Sequence, residues 1–278
     1  MPKISCSMKG IYDCELIEQY EVSPDVWVSS LAGPEIAREA VAGQFVNVQV
    51  AKTTDPLLRR PFSIHAADPV KGTFSLLYVV IGRGTRLLRR IATGETISVV
   101  GPLGRGFDLG EDADAEHVVV AGGCGAAPLH FLCDSLCEKW GCDKITVLAG
   151  GRSKDAVLCE DEFRAHGVDV EVSTDDGSYG FGGYVTQLLE DHLRRRSDQL
   201  PSIRVYSCGP HPMMKEVARI CREHKPASCQ VSLENNMACG IGVCTGCVQK
   251  VRKDEHSWEY KRVCADGPVF EAEEIIWD

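Results

Sequence analysis

Up to about Asp108 the chain alternates short apolar or β-branched runs with turn residues. The runs V-W-V-S-S-L (26–31), F-V-N-V-Q-V (45–50), F-S-L-L-Y-V-V (74–80) and T-I-S-V-V (96–100) are divided by Gly43, Pro61, Gly72 and Gly94. Strands at this spacing predict an antiparallel barrel or sandwich. After an acidic linker, E-D-A-D-A-E (111–116), the rhythm changes. H-V-V-V-A-G (117–122), K-I-T-V-L-A-G (144–150), V-D-V-E-V-S (168–173) and I-R-V-Y-S (203–207) read as buried strands. Helical stretches near 127–140, 155–166, 184–196 and 211–224 separate them. That alternation predicts an α/β domain on a parallel sheet with crossover helices. The last 50 residues return to short pieces rich in cysteine and glycine. The expected organisation is multidomain: a β-barrel over 1–110, an α/β domain over 111–228 and a small module over 229–278.

With 278 residues, the chain can bury roughly three quarters of its unfolded surface, so its core needs no disulfides. A net charge of −10, from 40 acids and 30 bases, argues against nucleic acid as a partner. No apolar run reaches the ~18 residues of a membrane span, and the first residues carry no apolar stretch of signal-peptide length. A soluble, cytoplasmic protein without a membrane partner is expected. The unusual number is fourteen cysteines. Ten are scattered: Cys6, Cys14, Cys124, Cys133, Cys137, Cys142, Cys159, Cys208, Cys221 and Cys229. Most of these are expected to be buried thiols acting as small hydrophobes.

The other four lie close together. Cys239, Cys244 and Cys247 read C-G-I-G-V-C-T-G-C, a C-x4-C-x2-C run, and Cys264 follows. This is the ligand spacing of a plant-type [2Fe–2S] cluster. Four thiolates leave the cluster negatively charged, and backbone N–H groups aimed at its sulfurs stabilise it. Gly240, Gly242 and Gly246 let the loop curl around it. Structural zinc sites usually present two short-spaced pairs, and only one C-x-x-C exists here.

In the barrel, R-P-F-S (60–63) precedes G-R-G-T (82–85). Arg60 offers a forked donor to a phosphate, and the Ser63 hydroxyl could reach a flavin ring nitrogen. Gly84 and Thr85 open a predicted helix whose free N–H groups suit a pyrophosphate. Residues 51–108 hold nine bases and four acids, a net +5 within an acidic chain. An anionic dinucleotide belongs in that part.

The segment V-V-V-A-G-G-C-G-A-A-P-L (118–129) is a strand ending in glycines with a helix behind it. It departs from the Rossmann fingerprint, because Pro128 stands where a third glycine or alanine should be. The following strand ends A-G-G-R-S, without the acid that would bind a ribose; Arg152 there could serve a 2′-phosphate or be solvated. Y-S-C-G-P-H-P-M-M (206–214) is a second strand-to-helix turn, and the two turns could line one cleft.

Taken in order, R-P-F-S, G-x-G-T, G-P-L-G-x-G-F (101–107), A-G-G-x-G-A-A-P-L and C-G-P-x-P-M-M resemble the ferredoxin–NADP reductase-like flavoproteins. The tail E-N-N-M-A-C-G-I-G-V-C-T-G-C (234–247), with R-V-C-A-D-G-P-V-F (262–270), closely resembles the electron-transfer subunits of NAD-dependent dihydroorotate dehydrogenases. The resemblance covers nearly the whole chain. It implies an FAD-binding barrel, a nicotinamide-binding α/β domain and a C-terminal [2Fe–2S] module held by Cys239, Cys244, Cys247 and Cys264. Arg60, Pro61, Phe62, Ser63, Leu77, Tyr78, Val79, Gly84 and Thr85 would contact FAD. Gly122, Gly123, Gly125, Cys208, Gly209 and Pro210 would border the NAD site, with Cys208 close to the ring. Cys124, where relatives often carry glycine, is a departure that would crowd the pyrophosphate turn.

The resemblance further implies an FMN-containing dihydroorotate dehydrogenase catalytic subunit as partner, in a heterotetramer of two of each. Electrons would run from that FMN through the cluster to FAD and then to NAD⁺, in pyrimidine biosynthesis. The redox chemistry belongs to the cofactors, so no side chain need act as a general acid or base, and His65, His130 and His211 read as structural or surface groups. Sulfide dehydrogenase and NADH-dependent ferredoxin reductases share the first two domains but differ in the cluster segment. Oxygenase reductases usually place a longer stretch before the fourth cysteine. From another class, a redox-sensing module would show no rapid reduction of bound FAD by NADH.

Overall fold

A computed structural model of the chain describes residues 10–254 and 256–277. The first unit contains β1 (Gly10–Ser23), β2 (Val26–Ala32), α1 (Pro34–Glu39), β3 (Phe45–Val48), β4 (Arg60–Asp68), β5 (Thr73–Val79), α2 (Arg83–Leu88) and β6 (Thr96–Leu103). Its six strands close into an antiparallel barrel in the order β1-β2-β5-β4-β3-β6. Alternation puts Leu31 of β2, Ile64 of β4 and Leu76 of β5 on one face of the sheet, and all three are buried.

The second unit continues with β7 (Glu116–Gly122), α3 (Ala126–Trp140), β8 (Ile145–Gly151), α4 (Glu160–Ala165), β9 (Asp169–Thr174), β10 (Phe181–Gly182), α5 (Val185–Arg195), β11 (Ile203–Cys208) and α6 (His211–His224). Val118, Val119 and Val120 of β7 are all buried, because helices cover both faces of a parallel sheet. The last stretch supplies β12 (Ser228–Ser232), β13 (Val248–Arg252), β14 (Trp258–Arg262), α7 (Val263–Asp266) and β15 (Val269–Glu271). Here the architecture goes beyond the sequence reading. The central sheet has seven strands, β10-β9-β8-β7-β11-β12-β15, so both ends of the cysteine-rich segment are stitched into it. β12 runs parallel to β11, and β15 antiparallel to β12. Among the described residues, only β13 and β14 form a separate ribbon.

One apolar core joins Phe45 and Leu103 of the barrel to Met214, Val231, Cys247 and Cys264. The cysteine-rich segment therefore rests on both other units. Among the scattered cysteines, Cys14, Cys133, Cys159, Cys208 and Cys221 are buried free thiols, while Cys124 and Cys229 are half-buried. Cys137 and Cys142 differ from the expectation. Gly141, at φ +92°, turns the chain after α3, and the two form a disulfide with Cα atoms 4.4 Å apart. Cys6 lies outside the described residues. Among the described residues, no helix is long and apolar enough to cross a membrane.

Candidate functional site

Two cavities adjoin where the barrel, the seven-stranded sheet and the segment leading to the cysteine loop converge, and a third continues from the second along the sheet. The first, about 530 Å³, is lined by Pro61, Phe62 and Ser63 of β4, Leu77, Tyr78 and Val79 of β5, and Thr85 of α2. The antiparallel pairing of β4 with β5, which sets Ile64 opposite Leu76, carries the first two groups side by side. Phe62 and Tyr78 form a tilted aromatic wall with ring centroids 5.3 Å apart. The opposite wall comes from Cys124, Ala127 and the segment Ser232–Met237.

Arg59 and Arg60 part company here. Arg59 donates to the Ser98 carbonyl at 2.6 Å and its hydroxyl at 3.0 Å, bracing the barrel wall. Arg60 instead lies over Gly84, where an added Cβ would fall 2.6 Å from its Nε. Thr85 Oγ1 accepts from the amides of Ile81 and Gly82, each at 3.1 Å, and so fixes the start of α2.

The second cavity, about 310 Å³, lies between the turn Gly122–Gly125 and Gly209–Pro210. The third, about 550 Å³, continues along the carboxyl ends of the strands past Gly150, Gly151, Arg152 and Asp175. That is where an open parallel sheet binds ligands. Gly125 packs directly on the Cys208 carbonyl. Cys208 itself is buried beneath this turn and lines none of the three cavities. Cys124 lines the first two, the second of them together with Gly122, Gly123, Gly125 and Gly209, so it stands between the barrel and the glycine turn.

Two residues here escaped the sequence reading. Asp175, just past β9, shares the third cavity with Arg152. Its signal in the sequence is S-T-D-D-G, an acid that stands one strand later than the dinucleotide fingerprint places it. Glu234 faces both the first and second cavities. Desolvation by the surrounding protein raises its carboxyl, and its charge adds to the burial that pushes Cys124 up to about 12.

The cysteine loop is built by local backbone. Burial alone would raise the Cys239 thiol, but the amides of Cys244, Ile241 and Val243 outweigh it and bring it down to about 6. The Cys244 amide is 3.4 Å from Cys239 Sγ. Likewise the Cys264 amide is 3.5 Å from Cys247 Sγ. Burial and the Cys247 sulfur raise Cys264 to about 12. Gly240, at φ +69°, is required because a side chain would strike Asn47, whose amide holds the Cys239 carbonyl at 3.2 Å. Arg262 closes the loop, donating to the Gly242 carbonyl at 2.7 Å and to Asp266 at 3.1 Å.

This donor set fits a [2Fe–2S] cluster. Its sulfurs associate two and two, Cys239 with Cys244 and Cys247 with Cys264, as two irons each with two thiolates require. A single zinc would draw all four sulfurs to about 3.8 Å from one another. Among the described residues, no three of them gather even within 4.8 Å. The pairs also differ in exposure. Cys247 and Cys264 are buried, whereas Ile241 and Val243, beside the other pair, are exposed.

Comparison with known proteins agrees with this division. Residues 13–107 match an oxidoreductase FAD-binding domain and residues 119–219 an oxidoreductase NAD-binding domain. Residues 234–276 match the iron–sulfur cluster binding domain of dihydroorotate dehydrogenase B. The dihydroorotate dehydrogenase B (NAD⁺) electron transfer subunit of Desulforamulus reducens is 40% identical over 271 residues, 98% of this chain and 100% of the relative. That of Fusobacterium nucleatum is 37% identical over 95% of this chain and 98% of its own length.

The chain belongs to the dihydroorotate dehydrogenase B electron transfer subunit family. Its family cofactors are FAD, NAD and an iron–sulfur cluster. Among solved structures, an NADH-dependent reduced ferredoxin-NADP oxidoreductase, studied for electron bifurcation, superposes with a TM-score of 0.79 at 29% identity. It spans 97% of this chain and 91% of its own. A ferredoxin reductase of carbazole 1,9a-dioxygenase, at 20% identity and TM-score 0.63, shares the fold over 78% of this chain and 65% of its own. The family's barrel, parallel sheet and cluster module are thus the architecture described above.

Proposed function

We propose that this chain is the NAD-linked half of a dihydroorotate-oxidising complex, carrying electrons from the FMN of a catalytic subunit to NAD⁺ for pyrimidine biosynthesis. The single observation that carries this reading is the convergence of three separate sites on one junction. Asn235, Asn236 and Met237 line the first cavity, and Cys239 follows two residues later. Bound here, the cluster supplies one-electron transfer, the flavin connects one- and two-electron chemistry, and the nicotinamide accepts hydride.

In this reading Pro61, Phe62, Ser63, Leu77, Tyr78, Val79 and Thr85 enclose FAD, and Arg60 beside Gly84 binds its phosphates. Gly122, Gly123, Gly125, Gly209 and Pro210 shape the nicotinamide passage, with Cys208 supporting the turn from beneath. Cys239, Cys244, Cys247 and Cys264 hold the cluster. The Asp175 carboxylate accepts from ribose hydroxyls and repels a 2′-phosphate, which favours NAD over NADP. Domain limits of 1–110, 111–228 and 229–278 serve as functional divisions, although the third shares the sheet of the second.

The partner docks at the exposed side of the cluster loop. Ile241 and Val243 there, and the exposed Trp258 and Tyr260 on the β13–β14 ribbon, offer apolar and aromatic surface of the kind that anchors interfaces. Family resemblance supplies the rest of the reading, a cytoplasmic heterotetramer with two subunits of each kind. Reconstitution with the FMN-bearing subunit tests it. The complex should let dihydroorotate reduce NAD⁺, and the partner alone should not. An intact complex that ignores dihydroorotate while exchanging electrons with ferredoxin would replace this reading with an NADH-dependent ferredoxin reductase.

A further inference from the structure

Between α3 and the end of α4 lies a second cluster of ligand-type side chains. His130 and Asp134 stand one turn apart on α3, and His166 caps the end of α4. One ligand atom from each lies within 4.8 Å of the other two. The Nε2 atoms of His130 and His166 are 3.3 Å apart, and His166 Nε2 is 3.0 Å from Asp134 Oδ1. His130 is largely enclosed, its side chain 12% exposed, while His166 and Asp134 are 25% and 34% exposed. The cluster is thus walled on one side and open to solvent on the other.

Proton accounting makes this arrangement unusual. His130 Nδ1 lies 3.1 Å from the His65 carbonyl oxygen of β4. A carbonyl only accepts, so Nδ1 carries the hydrogen, and Nε2 of the neutral ring presents a lone pair. With both rings neutral and the carboxylate ionised, as metal binding requires, that lone pair, Asp134 and His166 Nε2 face one another with at most one hydrogen among them. A divalent cation satisfies all three at once. Tetrahedral zinc with nitrogens at 2.0–2.1 Å places them about 3.4 Å apart, close to the observed 3.3 Å. The outward bond from His130 Nδ1 to a backbone carbonyl is also the support that metal-bound histidines typically have.

We propose that His130, Asp134 and His166 form a binding site for a zinc-class divalent cation, with water completing the coordination. The chemistry selects a borderline ion over magnesium or calcium, which prefer oxygen ligands. A neighbouring group, His65, Cys159 and Glu162, is also within ligand distance. It is the poorer candidate, because its thiol must ionise in an apolar pocket. An ion at the outer group ties α3 to α4. Through the His65 carbonyl it also ties the sheet to β4, the strand that carries R-P-F-S. His65 Nδ1 in turn meets the carbonyl of Ala127, which lines the first cavity, so the brace ends at the flavin side.

The test uses the full chain loaded with FAD and its cluster, stripped of loose metal and titrated with Zn²⁺ by calorimetry. One equivalent should bind to the unmutated protein, and at least tenfold more weakly to both His166→Gln and Asp134→Asn. Titration with Co²⁺ needs no variant. It should give the visible ligand-field bands of a tetrahedral site without the sulfur-to-metal charge-transfer band of a cysteine site. Retained flavin and an unchanged circular dichroism spectrum show that the variants fold. Equal Zn²⁺ affinity in all three proteins, or a cobalt spectrum dominated by thiolate charge transfer, would overturn the proposal.

Discussion

On the proposed reading, the cysteine loop and the flavin–nicotinamide junction hold their cofactors in opposite ways. The loop draws three of its four ligands from nine consecutive residues, 239–247, and tunes them with its own backbone amides. The junction gathers β4, β5, α2, two glycine turns and the segment after β12, which span most of the chain. A local site depends on spacing and a few glycines, whereas a distributed site depends on the fold being right. Single substitutions should therefore be decisive in the first and graded in the second.

The sharpest way to separate the regions is Cys244→Ser. With the FMN-bearing partner present, it should abolish dihydroorotate-driven NAD⁺ reduction, because oxygen is a poorer ligand for this cluster. Reduction of FAD by NADH should stay within about twofold, since the junction is untouched. Loss of both activities would mean that the loop and junction are one cooperative unit. Next comes Arg60→Ala, which removes a charge-assisted phosphate contact worth roughly 1.5–3 kcal/mol and should weaken FAD retention about tenfold or more. Arg59→Ala removes the bonds to Ser98 instead and should lower thermal stability with less flavin loss. The reverse order would mean that the arginine register is wrong.

Glu234→Gln probes the boundary between cavities and should slow NADH reduction of FAD about tenfold while leaving flavin content unchanged. The effect should appear in stopped-flow flavin bleaching and vanish in the cluster's electron paramagnetic resonance spectrum. Asp175→Ala should raise KM for NADH severalfold and narrow its preference over NADPH. Unchanged preference would remove Asp175 from the ribose site.

The smallest expected effect concerns the attachment of the cysteine-rich segment to the sheet. Burial raises Glu271 on β15 from 4.5 to about 7, with Arg204 partly opposing it. Between those values the unfolded chain releases this proton and the folded chain keeps it, so stability falls as pH rises through the window. Allowing for solvent screening of a partly exposed carboxyl, the loss is on the order of 1 kcal/mol. Glu271→Gln should remove that slope from denaturant unfolding curves measured between these pH values.

The same contrast explains what was legible in the chain. C-x4-C-x2-C can be read because its ligands are neighbours, and β7, β8, β9 and β11 because buried parallel strands are continuous apolar runs. R-P-F-S reads as a binding motif but hides that it begins β4, since its proline and charges mask the alternation. β1 shows no clean alternation either: long stretches of it are exposed, with Ile11, Ile17, Tyr20 and Val22 facing outward. Glu234 stands at the head of the tail motif and Asp175 in S-T-D-D-G, but neither pattern names a role; only the folding of distant turns onto one cleft brings them beside the cavities. β15 is three residues long, and its place in the sheet depends on a partner strand nearly forty residues earlier.

That last pairing has a consequence for synthesis. β12 leaves the ribosome before the cysteine loop and β15 after it, so the outer edge of β12 stays unpaired until all four cysteines have emerged. An open edge strand is a template for wrong partners, and the nascent chain carries this one for the whole interval. Seating β15 covers the edge, whereas Cys264 is brought to Cys247 by the β13–β14 ribbon, where Val248 faces Arg262 and the Val263 amide donates to the Cys247 carbonyl at 2.9 Å. Both strands of the ribbon emerge before β15, so the last two cysteines can be paired while the sheet edge is still open, and β15 is the piece that closes it.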